Sequence, residues 1–459
     1  MIQMNIFDII REPVQITKPI RLIELFAGYG SQAMALRDIG AKFKHYRVVE
    51  FDKYAIASYN AVHGTDFQTM DITKVHASDL NICDTEKYCY FMTYSFPCTD
   101  LSVAGKQAGM KKGSGTRSGL LWEVERILCE IQENGGELPQ ILFMENVPQV
   151  HADANKTDFQ NWIDFLTDLG YVSYWKDLNA KNYGVAQNRN RCFMFSFLGE
   201  FNYKFPKTIP LEKRLKDYLE DSVDEKYYID NEKTQKLIRT LIDNGTLQNA
   251  MLRTEQVCVD GTIKEPKKRE VANCIKAKYD CGISNLQSEG NVVIDRLRRE
   301  SGETRGRNPD NPSDRTAGSP TEQRLEPNMQ GISNCLTSVQ KDNLVLIKQA
   351  TKEGSIECEI GGCFDASYPE STTRRGRVQD KGNICPTLTA QNQEIVRIES
   401  KYRIRKFTPR ECGRLMGVSD EDISKMEKIN SDTQLYKQFG NSIVVNVMRA
   451  MFENLNIDQ

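Results

Sequence analysis

The first 200 residues alternate short apolar runs with segments of helical periodicity. The run at residues 21–25 leads into a glycine turn, and the apolar residues that follow are spaced for one face of a helix that ends before Gly40. Alternation of this kind predicts an α/β fold with a mostly parallel, doubly wound sheet. The further runs that we predict as strands are residues 48–49, 90–93, 141–144 and 192–197.

The pattern weakens after about residue 200. A charged segment at 211–225 precedes a long polar region, and residues 300–322 are rich in Arg, Asp, Pro, Gly, Ser and Thr, which is typical of an exposed loop. We therefore predict two domains. Residues 1–203, completed by 431–459, form the first, and residues 204–430 form a second, mostly irregular or β domain.

A weak echo recurs inside this polar region. Asn-Cys or Asn-Ile-Cys precedes a short apolar segment at 273–275, 334–338 and 383–390, with unequal spacing. Repeated hairpins and coincidence both explain such an echo, so it does not define a function.

Helical patterns return near the end of the chain. Thr408, Pro409 and Glu411 form the sequence of a capping box with proline at the first helical position, and Gly417 predicts the end of that helix. The apolar stripe within 443–451 predicts a last helix that packs against the first domain.

Composition narrows the class of protein. The 459 residues are 39% apolar and carry a net charge of −2, so a nucleic-acid partner would need local basic patches rather than a global field. No apolar run approaches membrane-spanning length and no basic leader precedes one, so we expect a cytoplasmic protein. Thirteen cysteines and four histidines lack metal-ligand spacing, which favours reduced thiols and no metal.

The basic patch with the greatest charge lies late in the chain, and within it Glu399 and Glu411 are the opposing carboxylates. Its members are Arg397, Lys401, Arg403, Arg405, Lys406, Arg410 and Arg414.

Cys98 is the most informative residue of the chain. It follows Pro97 directly after an apolar strand candidate, and α/β enzymes place their chemistry at such strand ends. Proline fixes one backbone angle ahead of the thiol, which allows a stiff turn to aim the sulfur at a substrate. A buried structural cysteine is the alternative for any one cysteine taken alone.

Two further strand ends carry polar groups suited to a nucleotide-like ligand. Gly28 and Gly30 belong to the turn 26–30, where backbone amides can approach a ligand closely. Glu50 ends the next strand, where such folds bind ribose hydroxyls, and Asp71-Ile72 could border an adenine. A surface glutamate and an ordinary turn are the alternatives.

Charged residues also flank the strands at 141–144 and 192–197. Glu145 emerges on the side expected for Cys98, and burial there would raise its pKa so that it could hold or give a proton. Gln187, Arg189 and Arg191 alternate along an extended segment and so share one face. Two fixed guanidinium groups suit a phosphate or a base carbonyl. The alternative, for two arginines taken by themselves, is a solvent-exposed strand edge.

Taken together and in this order, these segments resemble the cytosine-5 DNA methyltransferase family. The segments are 26–30, Pro97-Cys98, 145–147, 187–191, 410–412 and 440–442. The resemblance covers roughly residues 20–200 and 403–455, and the region between matches the family's target-recognition domain by position alone. The sequence departs from the family at Thr99, where Gln is frequent, and at Ser31, where Gly is frequent.

The resemblance implies a Rossmann-like methyltransferase domain and a covalent mechanism. Cys98 would attack C6 of a flipped-out cytosine in duplex DNA, so that C5 takes a methyl group from S-adenosylmethionine. Glu145 would engage N3 and the exocyclic amine and Arg191 would hold O2. Arg189, a member of the catalytic set, would support the site or the backbone together with Gln187.

The same resemblance assigns residues to the cofactor and to DNA. Cofactor binding would fall to Phe26, Gly28, Gly30, Glu50, Asp71, Ile72, Asn441 and Ser442. DNA contacts would fall to Ser102, Gln187, Arg403 and Arg405.

The family also implies double-stranded DNA as the partner, a monomer, and association with a bacterial nucleoid through DNA. It implies a role in restriction-modification or in phage or host DNA protection, with a cognate restriction endonuclease as a possible partner. A transfer-RNA cytosine methyltransferase and a catalytically silent DNA-binding regulator are the competing interpretations. A small-molecule methyltransferase would share the glycine turn without needing Cys98, Glu145 and Arg191.

Overall fold

The structure of the protein is a computed structural model. It describes residues 12–98, 100–101, 109–229, 257–260, 269–275, 291–296, 305–307, 322–324, 345–348, 355–358, 363–365, 395–397 and 402–458. The chain forms two compact units, of which the first comprises Met1–Val223, Arg269–Asn291 and Phe407–Gln459. The second comprises Asp224–Lys268 and Val292–Lys406.

These units differ from the predicted boundaries because hydrogen bonds tie three additional segments to the first unit. Tyr183 OH donates to Pro206 O at 3.3 Å, Ala272 N donates to Ala186 O at 2.8 Å, and Arg37 Nη2 donates to Asp422 Oδ2 at 2.7 Å. Residues 204–223, 269–291 and 407–430 therefore belong with the first unit rather than with the second domain.

The first unit is built on a six-stranded sheet. Its strands are β1 (Ile20–Leu25), β2 (Phe43–Val49), β3 (Cys89–Tyr94), β4 (Ile141–Asn146), β5 (Tyr171–Asn179) and β6 (Asn190–Leu198). Their order across the sheet is β2-β1-β3-β4-β6-β5. The first four are mutually parallel, while β6 runs antiparallel to both β4 and β5.

This strand order confirms the predicted α/β fold with a doubly wound, mostly parallel sheet. The chain leaves β1 toward β2 and then returns past β1 to β3, so right-handed crossovers place helices on both faces. The crevice between β1 and β3, where the order reverses, is where open sheets of this type bind ligands. Strand β5 had no counterpart among the predicted strands, because most of its residues are only partly buried or exposed.

Nine α-helices are present among the described residues. They are α1 (Ser31–Asp38), α2 (Lys53–His63), α3 (Ala77–Leu80), α4 (Leu121–Glu133), α5 (Lys156–Asp168), α6 (Pro409–Leu415), α7 (Asp420–Glu427), α8 (Asp432–Asn441) and α9 (Val445–Glu453). Short 3-10 helices occur at Ile72–Lys74, Ser118–Leu120, Pro148–His151, Ala180–Asn182, Leu215–Tyr218 and Glu225–Tyr227. None of the helices that the structure describes has the length and apolar character needed to span a bilayer.

Helix α6 begins as the sequence predicts. The Thr408 side chain accepts a hydrogen bond from Glu411 N at 3.2 Å, and Glu411 Oε2 accepts one from Thr408 N at 2.9 Å. Gly417, just past its end, adopts φ of 78°, a left-handed conformation that favours glycine. The predicted capping box is thus confirmed.

The core lies along the sheet, since every residue of β3 and β4 is buried. The C-terminal helix α9 adds to this core: Phe452 packs edge-on against Phe91 and Phe143, with ring centroids 5.4 and 5.2 Å apart. The prediction that the last apolar stripe packs on the first domain is confirmed.

Short strand pairs complete the described structure. In the first unit Glu12–Pro13 pairs with Phe201–Asn202, and Gln187–Asn188 pairs with Ala272–Asn273. The second unit contains a sheet of Tyr228–Ile229, Tyr402–Arg405, Asn291–Arg296 and Val257–Asp260, in that order. It also contains three antiparallel pairs: Arg305–Arg307 with Glu322–Arg324, Val345–Lys348 with Ser355–Cys358, and Cys363–Asp365 with Ile395–Arg397.

Two sequence predictions are affected by these boundaries. Part of the predicted loop at 300–322 is a strand, since residues 305–307 pair with 322–324. The echoes at 334–338 and 383–390 lie outside the described residues, whereas the echo at 273–275 falls within them.

Candidate active site

A cavity of about 1070 Å³ opens at the carboxyl ends of β1 to β4 in the first unit. Parallel strands end at the same edge of a sheet, so the turns that follow them converge there. The sequence-predicted residues that line the cavity are Phe26, Gly28, Glu50, Asp71, Ile72, Cys98, Glu145, Arg189, Arg191, Asn441 and Ser442.

The turn after β1 is shaped by left-handed backbone. Phe26 and Gly28 both have φ of 57°, and a Cβ built on Gly28 meets no atom within 4 Å, so this position faces open space in the cavity. Gly30 does not line the cavity. It precedes α1 with φ of 80°, and a Cβ there would lie 2.4 Å from His63 Nε2, so glycine is required for packing.

Glu50 follows β2 and is fixed by backbone amides. Its Oε2 accepts a hydrogen bond from Gly28 N at 2.8 Å, and its Oε1 accepts one from Asp52 N at 2.7 Å. Burial raises the Glu50 pKa, and the two backbone N–H groups offset part of that rise. The carboxylate therefore joins the turns after β1 and β2 into one rigid wall.

Three side chains near Glu50 complete this end of the cavity. Asp71 Oδ1 accepts hydrogen bonds from Thr73 N and Thr73 Oγ1 at 3.1 and 2.8 Å, which lower its pKa, and Ile72 is buried beside it. Phe51 lines the cavity although 76% of it is exposed. A large aromatic surface left in solvent beside a cavity is suited to stacking on a flat ligand.

At the opposite end, Cys98 lies on a loop held by Ser118 and Asp100. Ser118 Oγ donates to Pro97 O at 2.8 Å, and Asp100 Oδ2 accepts from Arg117 N at 2.8 Å. Asn146 Nδ2 donates to Phe96 O at 3.0 Å, which ties the loop to the end of β4. The thiol is thus held in place beside β4 without being sealed from the cavity.

Glu145 and Arg191 meet because β4 and β6 are antiparallel. The carboxyl end of β4 lies beside the amino end of β6, and Arg191 Nε approaches Glu145 Oε1 at 3.1 Å. Glu145 is 7% exposed, and its Oε1 is held by the Arg191 charge as an ion pair rather than by a hydrogen bond of regular geometry. Burial raises the Glu145 pKa against the opposing effect of Arg191 and Arg189.

The same charges act on the thiol. Burial raises the pKa of Cys98, Arg191 and Arg189 lower it, and Glu145 raises it further. The net result is a thiol whose pKa lies above the ordinary value, so it is protonated near neutral pH in this state. The ionisation of the Cys98 thiol thus depends on its burial and on the balance between one carboxylate and two guanidinium groups.

Arg189 lines the cavity, but three of its hydrogen bonds go to backbone carbonyls. It is 3% exposed and donates to Ile275 O at 3.1 Å, to Gly440 O at 3.1 Å and to Ser442 O at 2.5 Å. Burial and the neighbouring Arg191 lower its pKa. These contacts fit the supporting role that the family resemblance implies for Arg189.

Gln187 must be corrected as a DNA-binding residue. It is fully buried, its Nε2 donates to Leu415 O at 2.7 Å, and its Oε1 accepts from Ile275 N at 3.1 Å. A side chain whose amide is used inside the protein in this way does not present it to a nucleic acid.

The predicted residues of the basic patch divide in a similar way. Arg405 is fully buried and donates to Lys406 O at 3.2 Å, so its assignment as a phosphate contact is also corrected. Arg403 lies in the strand Tyr402–Arg405, and its assignment to DNA stays a prediction. Ser102 lies outside the described residues.

The C-terminal helices close the cavity near α1. Asn441 ends α8, and the Ser442 hydroxyl donates to Ser31 Oγ at 3.2 Å. Within the described part of the chain, Gln434 Oε1, Gln438 Oε1 and Ser95 Oγ are buried without hydrogen-bond partners, and all three side chains line the cavity. Such unpaired acceptors are costly unless a ligand supplies donors.

One group outside the cavity has the composition of a metal site. Ligand atoms of His151, Asp177 and Cys192 lie within 4.8 Å of one another, and His151 Nε2 is 2.9 Å from Asp177 Oδ1. Burial and the Asp177 charge raise the pKa of Cys192, which keeps its thiol protonated and disfavours metal binding. The prediction of no metal stays a prediction.

Sequence reasoning missed several residues of this site. Phe51 could have been found, since it directly follows Glu50 at the same strand end. Asn146 lies within the motif that held Glu145, and its role in holding the Cys98 loop needed the structure. Gln434 and Gln438 are four residues apart on α8, and no sequence signal distinguished them from other polar helix residues.

Fold and site together describe an α/β protein with a cysteine, a glutamate and two arginines lining the same cavity as a glycine turn. A sequence model of the family described as C-5 cytosine-specific DNA methylase matches residues 20–456. The chain belongs to this family, and its enzyme class is therefore DNA (cytosine-5-)-methyltransferase. The resemblance noted in the sequence is confirmed.

Bacterial and phage proteins are among the relatives. The chain is 26% identical to the type II methyltransferase M2.ScrFI of Lactococcus lactis subsp. cremoris, over 95% of this chain and 99% of that protein. It is 28% identical to the orphan methyltransferase M.SPRI of Bacillus phage SPR, over 95% and 97%. It is 33% identical to the orphan methyltransferase M.SssI of Spiroplasma monobiae, over 47% and 68%.

Solved structures support the fold alone. The Entamoeba histolytica methyltransferase EhMeth matches with a TM-score of 0.52 at 14% identity, covering 96% of this chain and 98% of that one. The Dnmt2 methyltransferase of S. pombe matches with a TM-score of 0.50 at 16% identity, covering 95% and 97%. Both are consistent with a Rossmann-like methyltransferase fold.

Proposed function

We propose that this protein transfers a methyl group from S-adenosylmethionine to C5 of a cytosine that has been flipped out of a specific duplex DNA sequence, through a covalent adduct with Cys98. The observation that carries the proposal is the shared cavity. Cys98, Glu145 and Arg191 lie at one end, and the Gly28 turn with Glu50 lies at the other. A base bound in this cavity would therefore lie next to both the Cys98 thiol and the pocket for the cofactor.

The residues at the second end fit S-adenosylmethionine. The open space at Gly28 admits a ligand close to the backbone, and Glu50 supplies a fixed carboxylate for ribose hydroxyls. Phe51 offers a face for adenine, with Asp71 and Ile72 beside it. The unpaired acceptors of Gln434 and Gln438 match the amine donors of such a molecule. When bound, the cofactor supplies an electrophilic methyl group.

The residues of the first end carry the chemistry of the base. An aromatic C5 is a poor nucleophile, and addition of the Cys98 sulfur to C6 makes it an enamine-like one. Glu145 would engage N3 and the exocyclic amine as the adduct forms, with its carboxylate already oriented by the Arg191 charge. Arg191 would hold O2 of the ring. Arg189, bound to three backbone carbonyls, would keep this wall in position.

A cytosine inside a duplex cannot reach this cavity, so the proposal requires base flipping, at a cost of a few kcal/mol. Double-stranded DNA is the substrate we infer, and the second unit is its recognition element in this proposal. The relatives' names include both type II and orphan methyltransferases, which supports a role in restriction-modification or in DNA protection by a phage or host. Action as a monomer is part of the same proposal.

The test is transfer of a labelled methyl group to duplex DNA and to RNA under identical conditions, with wild-type protein, Cys98→Ser and Cys83→Ser. We expect labelling of DNA by wild type and by Cys83→Ser, whose exposed thiol is remote from the cavity lining. Cys98→Ser should bind the cofactor and transfer nothing. Turnover retained in Cys98→Ser would refute the covalent mechanism, and labelling of RNA instead of DNA would refute the substrate.

A second experiment identifies the target. DNA from cells that express the protein should show protected cytosines on bisulfite sequencing, confined to one sequence context or a small set of them. Protection that is absent with Cys98→Ser assigns it to this enzyme.

A further inference from the structure

Cys274 is a second thiol beside the catalytic arginines. The short strand Ala272–Asn273 pairs in parallel with Gln187–Asn188, so the segment that contains Cys274 is docked on the chain just ahead of β6. Ile275 is fixed on both sides, since its N–H donates to Gln187 Oε1 and its carbonyl accepts from Arg189 Nη1, each at 3.1 Å. The position of Cys274 is therefore set by its neighbours.

The Cys274 sulfur faces both guanidinium groups. Arg189 Nη1 donates to Sγ at 3.3 Å, and Arg191 Nη2 lies 4.0 Å from it. On its other side Arg191 approaches Glu145 Oε1 at 3.1 Å through Nε. The guanidinium that we assign to the cytosine is thus bracketed by a carboxylate and a sulfur.

Three acidic groups act on this one cation. Burial lowers the Arg191 pKa, but Cys274, Glu145 and Cys98 together raise it above the ordinary value. Burial also raises the Cys274 pKa, and Arg189 and Arg191 more than offset that rise, so the net pKa is lowered. The net pKa of Cys98 is raised. Cys274 therefore ionises at lower pH than Cys98. At the pH where Cys98 loses its proton, Arg191 already faces the Cys274 thiolate.

We propose that Cys274 is a positioning residue that holds Arg191 against Glu145 and, by sharing the Arg191 charge, limits how strongly that charge activates Cys98. The inference rests on the proposed covalent function. It assigns a residue far from the motifs that carry the family resemblance, in a segment that lies between two stretches of the second unit in the sequence.

Two substitutions separate the positional and electrostatic parts. Cys274→Ser keeps a short hydrogen-bonding side chain and removes the anion, and Cys274→Ala removes both. We measure alkylation of Cys98 by iodoacetamide against pH, peptide by peptide with mass spectrometry and without cofactor. In this reaction a bond forms between Sγ and the acetamide carbon while iodide leaves. The midpoint for Cys98 should move to lower pH in both variants, because Arg191 then acts on Cys98 with less competition.

Turnover supplies the second readout. We expect kcat to fall about tenfold in Cys274→Ala, which loses the sulfur contact to the arginines, with KM for DNA changed less than about twofold. Cys274→Ser should recover most of kcat while keeping the shifted alkylation midpoint. Cys83→Ser, an exposed thiol away from the cavity, is the control for losing a cysteine.

An unchanged Cys98 midpoint in both variants, together with wild-type kcat in Cys274→Ala, overturns the inference. Should Cys274→Ala fail to fold, a wild-type midpoint in Cys274→Ser alone overturns the electrostatic part. Failure of the proposed function is seen separately, as turnover by Cys98→Ser, and does not affect the alkylation measurement.

Discussion

The two ends of the cavity each contain a glutamate, half-buried at Glu50 and buried at Glu145, and the two are held in different ways. Glu50 accepts a backbone N–H on each oxygen, from Gly28 and Asp52, whereas Glu145 forms an ion pair with the Arg191 guanidinium. Burial raises both pKa values. Backbone amides fix the orientation of a carboxylate, whereas a side-chain ion pair can rearrange when a substrate enters. The difference matches the binding role that we propose for Glu50 and the chemical role that we propose for Glu145.

A third glutamate, Glu24, accepts a hydrogen bond from a tyrosine hydroxyl. Glu24 in β1 is fully buried; Tyr59 donates a hydrogen bond to its Oε2, and Oε1 has no hydrogen-bond partner among the described residues. Burial raises its pKa to about 7, and the hydrogen bonds from Tyr59 and from the Ala33 backbone offset only part of that rise. Glu24 is therefore predominantly neutral below that pH. The three glutamates thus differ in their partners: backbone amides at Glu50, a guanidinium group at Glu145 and the Tyr59 hydroxyl at Glu24.

The largest effect should come from Glu145→Gln. The substitution keeps the volume but removes the charge that faces Arg191 and the group that engages N3, so kcat should fall by about 10²–10⁴. Because Glu145 lies at the far end from Glu50, the cofactor Kd should change less than about twofold. Kinetics of methyl transfer and calorimetric cofactor titration give the two values. A variant with kcat within tenfold of wild type would contradict the assignment.

The next effect concerns stability and Glu24→Gln. In the unfolded chain this carboxyl ionises near 4.5, whereas in the folded protein its pKa is about 7. Below pH 4.5 both states bind the proton and the group contributes nothing. Between pH 4.5 and 7 the unfolded state ionises first, so wild type loses up to about 3 kcal/mol, and the loss is complete above pH 7.

Glutamine does not titrate, so Glu24→Gln should gain stability relative to wild type as pH rises through this window. Urea unfolding of both proteins at pH 5 and pH 8 measures the difference. An equal difference at both pH values would show that Glu24 is not held neutral by the fold. Cofactor affinity measured in parallel reports whether the Phe26–Gly30 turn, which follows β1, is disturbed.

Local sequence rules predicted most of the catalytic unit. Strands β3 and β4 are largely continuous apolar runs, which is the sequence pattern of strands buried on both faces of a sheet. The Thr408 capping box is a signal contained within a few residues. Cys98 and Glu145 could be placed near each other because parallel strands end at one edge. Arg191 follows from the same logic once β6 is placed beside β4.

Contacts between distant parts of the chain could not be predicted in this way. Cys274 meets Arg189 across 85 residues, and Gln187 meets Leu415 across 228 residues. Periodicity reports which face of a segment is polar, and it cannot report that a polar face is covered by another segment. The same limit explains why Gln187 and Arg405, polar by type, were assigned to DNA although both are buried.

Glu50→Gln is the matched counterpart of Glu145→Gln. The amide retains one acceptor for Gly28 N or Asp52 N and loses the other, along with the charge for the ribose hydroxyls, so cofactor Kd should rise about tenfold. With cofactor saturating, kcat should stay within about twofold of wild type. Calorimetry and kinetics at high cofactor concentration give both numbers. If kcat fell as far as in Glu145→Gln, the two ends of the cavity would not be separable.

The smallest effect should come from Lys437→Met, at the rim beside Glu50. Lys437 Nζ lies 2.6 Å from Asp52 Oδ2, and Asp52 caps α2 by accepting from Tyr54 N at 2.9 Å. Burial raises the Asp52 pKa, and Lys437 and the Tyr54 amide more than offset that rise. Half-exposed pairs contribute about 0–1 kcal/mol, so cofactor Kd should rise less than about fivefold.

Because salt screens such a pair, the difference from wild type should shrink between about 0.05 and about 0.5 M salt. The Glu50→Gln defect involves a largely buried carboxylate and backbone amides, so it should persist over the same range. A salt-independent Lys437→Met defect would place the lysine in direct contact with the ligand instead.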